Sequence, residues 1–520
     1  MALLDEATPG LYISQAGQDL PKTSPLNENF KRLVSETLEK WHIQGVSVAV
    51  VDGDDTWAEG YGTASSPDVP VRPSTLFYSG STTKAFTAAA ASLLVDDEEN
   101  YPNIKWKTPL NQIIPGDFVL PDEYATSHVT LEDALSHRSG LAGHELSLGR
   151  LGTVRDVVLN LRHFKMSQEI RSAWQYNNAM YIAVSHMIEV ATGEWLGDFL
   201  QKHIWAPLNM NSTFFSLDDA RKYAASAGND TTLAVPYGWD EEKFEMAEVP
   251  YCEGVLSGAG AVISNVLDYS KYIRSVMRQS GPLSKEGYAA MLEPRSFCPP
   301  MLPQLKNQIL YTLGWMTSTY QGEFVMFHPG GLEGMTATMI LFPEREWGVL
   351  VFCNADGPGR ETLAWHLIDE MLKVPQEDRL DLYDLAQKRL TQKREHNCTA
   401  RERLYPSIPS PARPLSLPLE GYAGTYTHPA HPDLIISVTS EAEPWLHVEV
   451  TGSLRSTLAL RHVSGDYFLA EVSLYMLRRD PSAIVKAEFQ VNAEGKVAWF
   501  GAAIDFDYMP DTLIWFARSS

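Results

Sequence analysis

The chain of 520 residues is too long for one ordinary core, and its 44% hydrophobic and 21% charged residues describe a globular protein, not a disordered one. A formal net charge of −23 repels nucleic acid and anionic membranes, so neither is an expected partner, and the acidic surface reads as a means of solubility. The four cysteines (Cys252, Cys298, Cys353, Cys398) form no C-x-x-C pair and no zinc spacing, which suits free thiols in a reducing compartment.

The N-terminal Met-Ala-Leu-Leu-Asp-Glu lacks the basic and apolar stretches of a signal peptide. No window approaches ~18 uninterrupted apolar residues. A soluble cytoplasmic protein is expected, and sequons at Asn211, Asn229 and Asn397 carry little weight without a secretory signal. Gly45–Val51 is a β-branched run, Asp52-Gly53-Asp54 a turn, and Thr56–Tyr61 a returning strand. After Ser81, Phe86, Ala89, Ala90, Leu93 and Leu94 fall on one helical face. Further helices are expected over 130–136, 178–191, 266–279 and 362–372, with Gly193 at a helix C-terminus. Residues 336–342 and 348–354 read as strands around the turn 343–346, and Cys353 should pack as a small hydrophobe. Strands at both ends with helices between predict an α/β domain whose sheet joins distant parts of the chain. Prolines at 406, 409, 411, 414 and 418 predict a stiff, extended linker. Beyond it, about eight alternating segments in about 100 residues suggest an antiparallel barrel or sandwich.

Three short constellations carry chemistry. In Gly80-Ser81-Thr82-Thr83-Lys84 the serine and lysine share one helical face at i, i+3. Serine needs a base, and lysine can be one if its pKa falls. Tyr176-Asn177-Asn178 can aim a phenol and an amide into one cavity, the phenol relaying a proton if a cation lowers its pKa. Its bland alternative is a helix entrance capped by Asn178. His328-Pro329-Gly330-Gly331 puts a proton-bearing group beside glycines that admit a substrate close to the backbone. Pro329 removes one donor at the strand start.

S-x-x-K, then Y-x-N, then H-x-G resembles the ordered signature of serine β-lactamases and penicillin-binding proteins, and within it the class C β-lactamase and esterase branch. Gly45–Val51, His137-Arg138-Ser139-Gly140-Leu141 and Pro207-Leu208-Asn209-Met210 resemble further landmarks, so the likeness covers roughly residues 25–375. It implies an α/β (α+β) transpeptidase-like fold with an antiparallel sheet flanked by helices and an all-helical subdomain. It implies Ser81 as nucleophile, Lys84 and Tyr176 as proton-transfer groups, and Asn178 as the amide that orients lysine and substrate. His328 would take the place of the lysine in K-T-G. The N–H groups of Ser81 and Gly331, beside Gly330, would bind the oxyanion. Because His328 replaces the lysine that helps bind β-lactam carboxylates, esters, peptides or acyl transfer are expected rather than β-lactams.

Gly254–Gly260, with Ser264 capping the next helix, resembles another landmark; Tyr237, Trp239, Phe244 and Tyr251 could line an acyl pocket or simply pack. His428-Pro429-Ala430-His431 is expected to be an exposed turn. Leu419–Tyr426 resembles the start of the lipocalin-like β-barrel appended to some serine peptidases of this superfamily. The expected organisation is a catalytic domain over 1–396, a linker over 397–418 and a β-barrel over 419–520. The expected function is a serine hydrolase of a small-molecule or peptide acyl substrate, without metal or organic cofactor, with a homo-oligomer as one state open to it. An acyltransferase and a non-catalytic scaffold are the alternatives.

Overall fold

The computed structural model describes residues 22–65, 67–150, 152–228, 231–453, 455–474, 477 and 480–519. The segment read for a signal peptide and the sequon at Asn229 lie outside them.

Nine strands form one antiparallel sheet among the described residues: β1 (Gly45–Asp52), β2 (Asp55–Ser65), β3 (Val69–Pro70), β4 (Ser296–Cys298), β5 (Ile309–Tyr311), β6 (Met316–Tyr320), β7 (Glu323–Leu332), β8 (Met335–Phe342) and β9 (Trp347–Cys353). Their order is β3-β2-β1-β9-β8-β7-β6-β5-β4. The join is β1 against β9, with Val46 opposite Cys353 and Asp52 opposite Trp347. The two ends of the domain therefore share its centre, as the sequence pattern predicts.

Both faces of this sheet are covered, and the side-chain alternation of a strand sorts residues between two cores. Val46, Val48 and Val50 face one core with Val349, Val351 and Cys353. Ala49 and Val51 face the other with Leu350 and Phe352. The helices used below are α1 (Glu28–Trp41), α2 (Thr83–Asp96), α3 (Asn178–Thr192), α4 (Val266–Arg278), α5 (Gly359–Leu372) and α6 (Leu382–Cys398). α1 buries Phe30 and Val34 beside Leu363 and Leu367 of α5 in the first core. α2, α3 and α4 fill the second. α2 is buried on nearly every side, which its run Ala88-Ala89-Ala90-Ala91 permits by keeping side chains small. Between Tyr78 and Tyr237 the described residues hold helices and turns but no strand, which is the helical subdomain. One of its turns is pinned by a capping box, Thr130 with Asp133, and the buried Asp133 carboxylate also binds Arg138 and Arg171.

α6 runs through Cys398 and a further helical turn spans Ala400–Leu404, so helix enters the segment expected to be extended. The reason is local: the first proline is Pro406. The segment then lies against the second domain, where Tyr405 donates its hydroxyl to the carbonyls of Phe468 and Ala487. That domain is a closed barrel of eight antiparallel strands, from Gly424–Thr427 to Ile514–Arg518. Leu446, Val448 and Val450 point inward, as do Val485, Ala487 and Phe489. With Tyr422, Tyr426, Phe468, Phe500 and Phe516 they fill the interior with side chains, as a barrel of this strand number allows.

The turn His428–His431 is exposed only at Pro429, with Ala430 and His431 buried. His431 is 2% exposed and packs between the domains against His144 and Phe164 of the first and Phe516 of the second. Docking of the barrel buries a turn whose local sequence looks solvent-facing.

Candidate active site

Ser81 lies in the 3-10 turn Gly80–Thr82, which continues directly into α2. Gly80 takes φ +54, and a Cβ added there would lie 2.6 Å from the Gly331 nitrogen. A Cβ on Gly330 would lie 1.9 Å from the Ser79 carbonyl oxygen. The glycines thus let the serine turn meet β7 backbone to backbone. Pro329 sits within β7, not at its start; β6 pairs with β7 only as far as Phe327, so the strand has a free side there. Behind the turn, the hydroxyl of Tyr269 on α4 donates to Ser79 Oγ at 2.6 Å.

Lys84 is fully buried, one helical turn below Ser81. Its Nζ stands 3.1 Å from Ser81 Oγ, 2.6 Å from Asn178 Oδ1 and 2.8 Å from the Ala259 carbonyl oxygen. Ala259 belongs to the glycine-rich segment before α4, where Gly258 also accepts the Thr87 hydroxyl. Burial pulls the Lys84 amine down to about 7, against an upward pull from the Glu145 carboxyl.

The Tyr176 phenol lies beside Ser81, and the Lys84 ammonium position lies 4.7 Å from its ring centre. Burial holds the phenol well above its ordinary pKa, so it keeps its proton rather than ionising as the sequence reading allowed. α3 begins directly after Tyr176-Asn177, and its cap is Asn177, which accepts from Met180 N–H, not Asn178. Asn178 is thereby free to face the lysine. In the same way α4 is capped by Asn265 and not by Ser264.

His328 is buried on β7. Its Nδ1 lies 2.7 Å from its own Pro329 carbonyl oxygen and its Nε2 lies 3.0 Å from the Tyr311 hydroxyl. The Pro329 contact needs the proton on Nδ1, so Nε2 accepts from Tyr311. Burial, helped by Lys84, pushes its pKa down to about 3. His328 is therefore a neutral group whose single ring proton is already committed.

Ser81, Asn178 and Gly331 open onto a pocket of about 820 Å³. The β-lactamase family profile matches residues 30–373. The chain belongs to the β-lactamase family. A second profile, a domain of unknown function (DUF3471), matches residues 409–518. An unguisins hydrolase of Aspergillus campestris is 38% identical over 92% of this chain and 89% of its own. An unguisins hydrolase of Aspergillus violaceofuscus is 36% identical over 91% and 87%. The octameric penicillin-binding protein homologue from Pyrococcus abyssi shares the fold across both domains, with a TM-score of 0.60 at 18% identity over 94% of this chain and 99% of that one.

In this member of the β-lactamase family the pocket belongs to both domains. The barrel supplies Gly452, Ser453, Arg455, Ser456 and Leu474 to its wall. Of the four aromatics upstream of the glycine-rich segment, Tyr251 lines it, while Trp239 stacks on His42 and Phe244 is exposed. A barrel segment also reaches beneath the site. Tyr508 accepts the Tyr176 backbone N–H at 2.9 Å, and Asp505 accepts the His144 N–H at 3.0 Å. Beside His144, Glu145 accepts from Asn178 Nδ2 through both carboxylate oxygens, at 3.2 and 3.0 Å. Glu145, Ala259 and Tyr508 escape sequence reasoning because nothing local ties them to Ser81. The Gly-Ala-Gly spacing of 258–260 is the one signal that points to a close backbone approach.

Among the described residues no group of His, Cys, Asp and Glu is arranged to hold a metal ion, and no helix is long and apolar enough to cross a membrane.

Proposed function

We propose that the protein is a serine hydrolase that forms an acyl-enzyme at Ser81. The observation that carries this is the set of partners around Lys84. A neutral amine has two N–H donors and one lone pair. The carbonyls of Asn178 and Ala259 take both donors, so the lone pair is left facing Ser81 Oγ. With a pKa near 7 the amine is substantially neutral at neutral pH, and the base is oriented before substrate arrives.

Ser81 Oγ attacks the carbonyl carbon of an amide, ester or thioester while its proton passes to Lys84 Nζ. The oxyanion is held by the N–H groups of Ser81 and Gly331. Tyr176 passes its phenol proton to the leaving group and recovers one from Lys84. Water then attacks the acyl carbon, the bond to Ser81 Oγ breaks, and the acid leaves. His328 positions: it holds Tyr311 and the Pro329 carbonyl beside the glycines of β7. The Aspergillus relatives make unguisins the first substrates to test. Should another nucleophile outcompete water in the pocket, the same residues would perform acyl transfer, which product analysis with and without added amines or alcohols distinguishes.

The test is intact mass after incubation with a fluorophosphonate. The wild type should gain one adduct and Ser81→Ala none. An adduct that persists in Ser81→Ala removes Ser81 from the role.

A further inference from the structure

The geometry points to Glu145 as a positioning residue that sets the proton occupancy of Lys84 through the Asn178 amide. The inference rests on the reading of Lys84 as the base for Ser81. Asn178 is held from both ends: Oδ1 accepts from Lys84 Nζ at 2.6 Å, and Nδ2 donates to the Glu145 carboxylate at 3.0 Å. The amide cannot turn over without placing its NH₂ against the lysine and its oxygen against the carboxylate. A charged Glu145 therefore both fixes that orientation and pulls electron density toward Oδ1, which strengthens the acceptor facing the lysine.

Glu145 opens the 3-10 turn Glu145–Gly149 and lines the pocket with Ser81; part of its surface meets the substrate space, while the protein packed around the carboxyl desolvates it. The groups around it come from several elements. Lys84 of α2 and the Asn178 amide of α3 favour its charged form, while burial, Asp505 and Asp507 of the barrel disfavour it. The phenols of Tyr176 and Tyr508 complete the ring of titratable neighbours. Burial lifts the Glu145 carboxyl to about 7, beside a lysine lowered to about 7, so the two titrate as a coupled pair across one amide. Pocket solvent screens part of that coupling.

The sign follows. The Glu145 charge raises the Lys84 pKa, and only neutral Lys84 takes the Ser81 proton. Removing the charge with Glu145→Gln, which keeps an acceptor oxygen for Asn178, should move the acid limb of Ser81 reactivity to lower pH by about one unit. Glu145→Asp, which keeps the charge, should return the limb toward the wild-type position. The measurement is the second-order rate of fluorophosphonate labelling across about pH 5 to pH 9, a range spanning both groups, with thermal unfolding of each variant. A labelled Glu145→Gln protein with an unmoved acid limb overturns the inference and leaves the Ser81 reading intact. Absence of labelling at Ser81 in the wild type overturns that reading instead. If both variants lose labelling and fold alike, Glu145 is only a structural anchor for Asn178, and the inference fails.

Discussion

Replacing Tyr508 with phenylalanine tests whether the barrel is part of the working site. The substitution keeps the ring, which lies over Gly143, and deletes the hydroxyl that accepts the Tyr176 N–H at 2.9 Å. That N–H sits on the residue whose phenol lies beside Ser81, and leaving a part-buried donor unpaired costs up to about 1–3 kcal/mol. If the cost falls on the reactive arrangement, turnover and the fluorophosphonate labelling rate should drop by roughly five- to 150-fold. Tyr508 does not line the pocket, so KM should change little and the loss should appear in kcat. The assay is steady-state hydrolysis of a chromogenic ester alongside the labelling rate. Wild-type kcat and labelling in a folded Tyr508→Phe protein would show that the barrel does not position Tyr176.

Two further outcomes follow from contacts described above. Gly330→Ala places a methyl group 1.9 Å from the Ser79 carbonyl oxygen, so β7 and the serine turn must separate; labelling of Ser81 should fall by about a hundredfold, and a rate near wild type would mean the two segments do not depend on one another. The second concerns pH. Burial lowers the pKa of His144 and His428 to about 4 and holds that of His431 well below the ordinary imidazole value, with the neighbouring His144 and Arg150 adding to the effect at the latter two. Unfolded histidines take up protons below about pH 6.5, so these three stabilise the folded chain fully above that value and progressively less as pH falls toward about 4. Both His431 nitrogens lack a hydrogen-bond partner among the described residues. His431→Leu should therefore raise Tm at pH 5 and flatten the fall in Tm between pH 7 and pH 5 by about a third, one group of three. A pH dependence identical to wild type would refute the interface account.

Where the pattern is carried by period, the sequence is a sufficient guide. The alternation of Val46, Val48 and Val50, the spacing after Ser81 and the repeated alternating segments of the barrel each reflect one buried face, and local chemistry predicts them. The serine, lysine, tyrosine and Asn178 are legible for a different reason: each lies in a short motif whose order along the chain is itself informative. Adjacent residues of like chemistry are not separable this way. Asn177 and Asn178 can both cap a helix, and the choice depends on Leu141 and Ala142, whose carbonyls hold the Asn177 amide. Contacts between domains are illegible altogether. Tyr508 meets Tyr176 and His431 meets Phe164, partners that no local spacing connects, and within the first domain Glu145 meets Asn178 in the same way. The turn at 428–431 looked exposed because polarity predicts exposure only when no other domain docks there.

The bond between Tyr176 and Tyr508 spans 332 positions of the chain. During synthesis, Ser81, Lys84 and Tyr176 leave the ribosome long before residue 508 exists. A nascent chain thus carries Ser81 early but gains the hydrogen bond that holds the Tyr176 backbone only once residue 508 has been made. Under the mechanism proposed above, full reactivity waits for the end of translation, and a chain cut short before that point keeps the motif without the bond between Tyr176 and Tyr508.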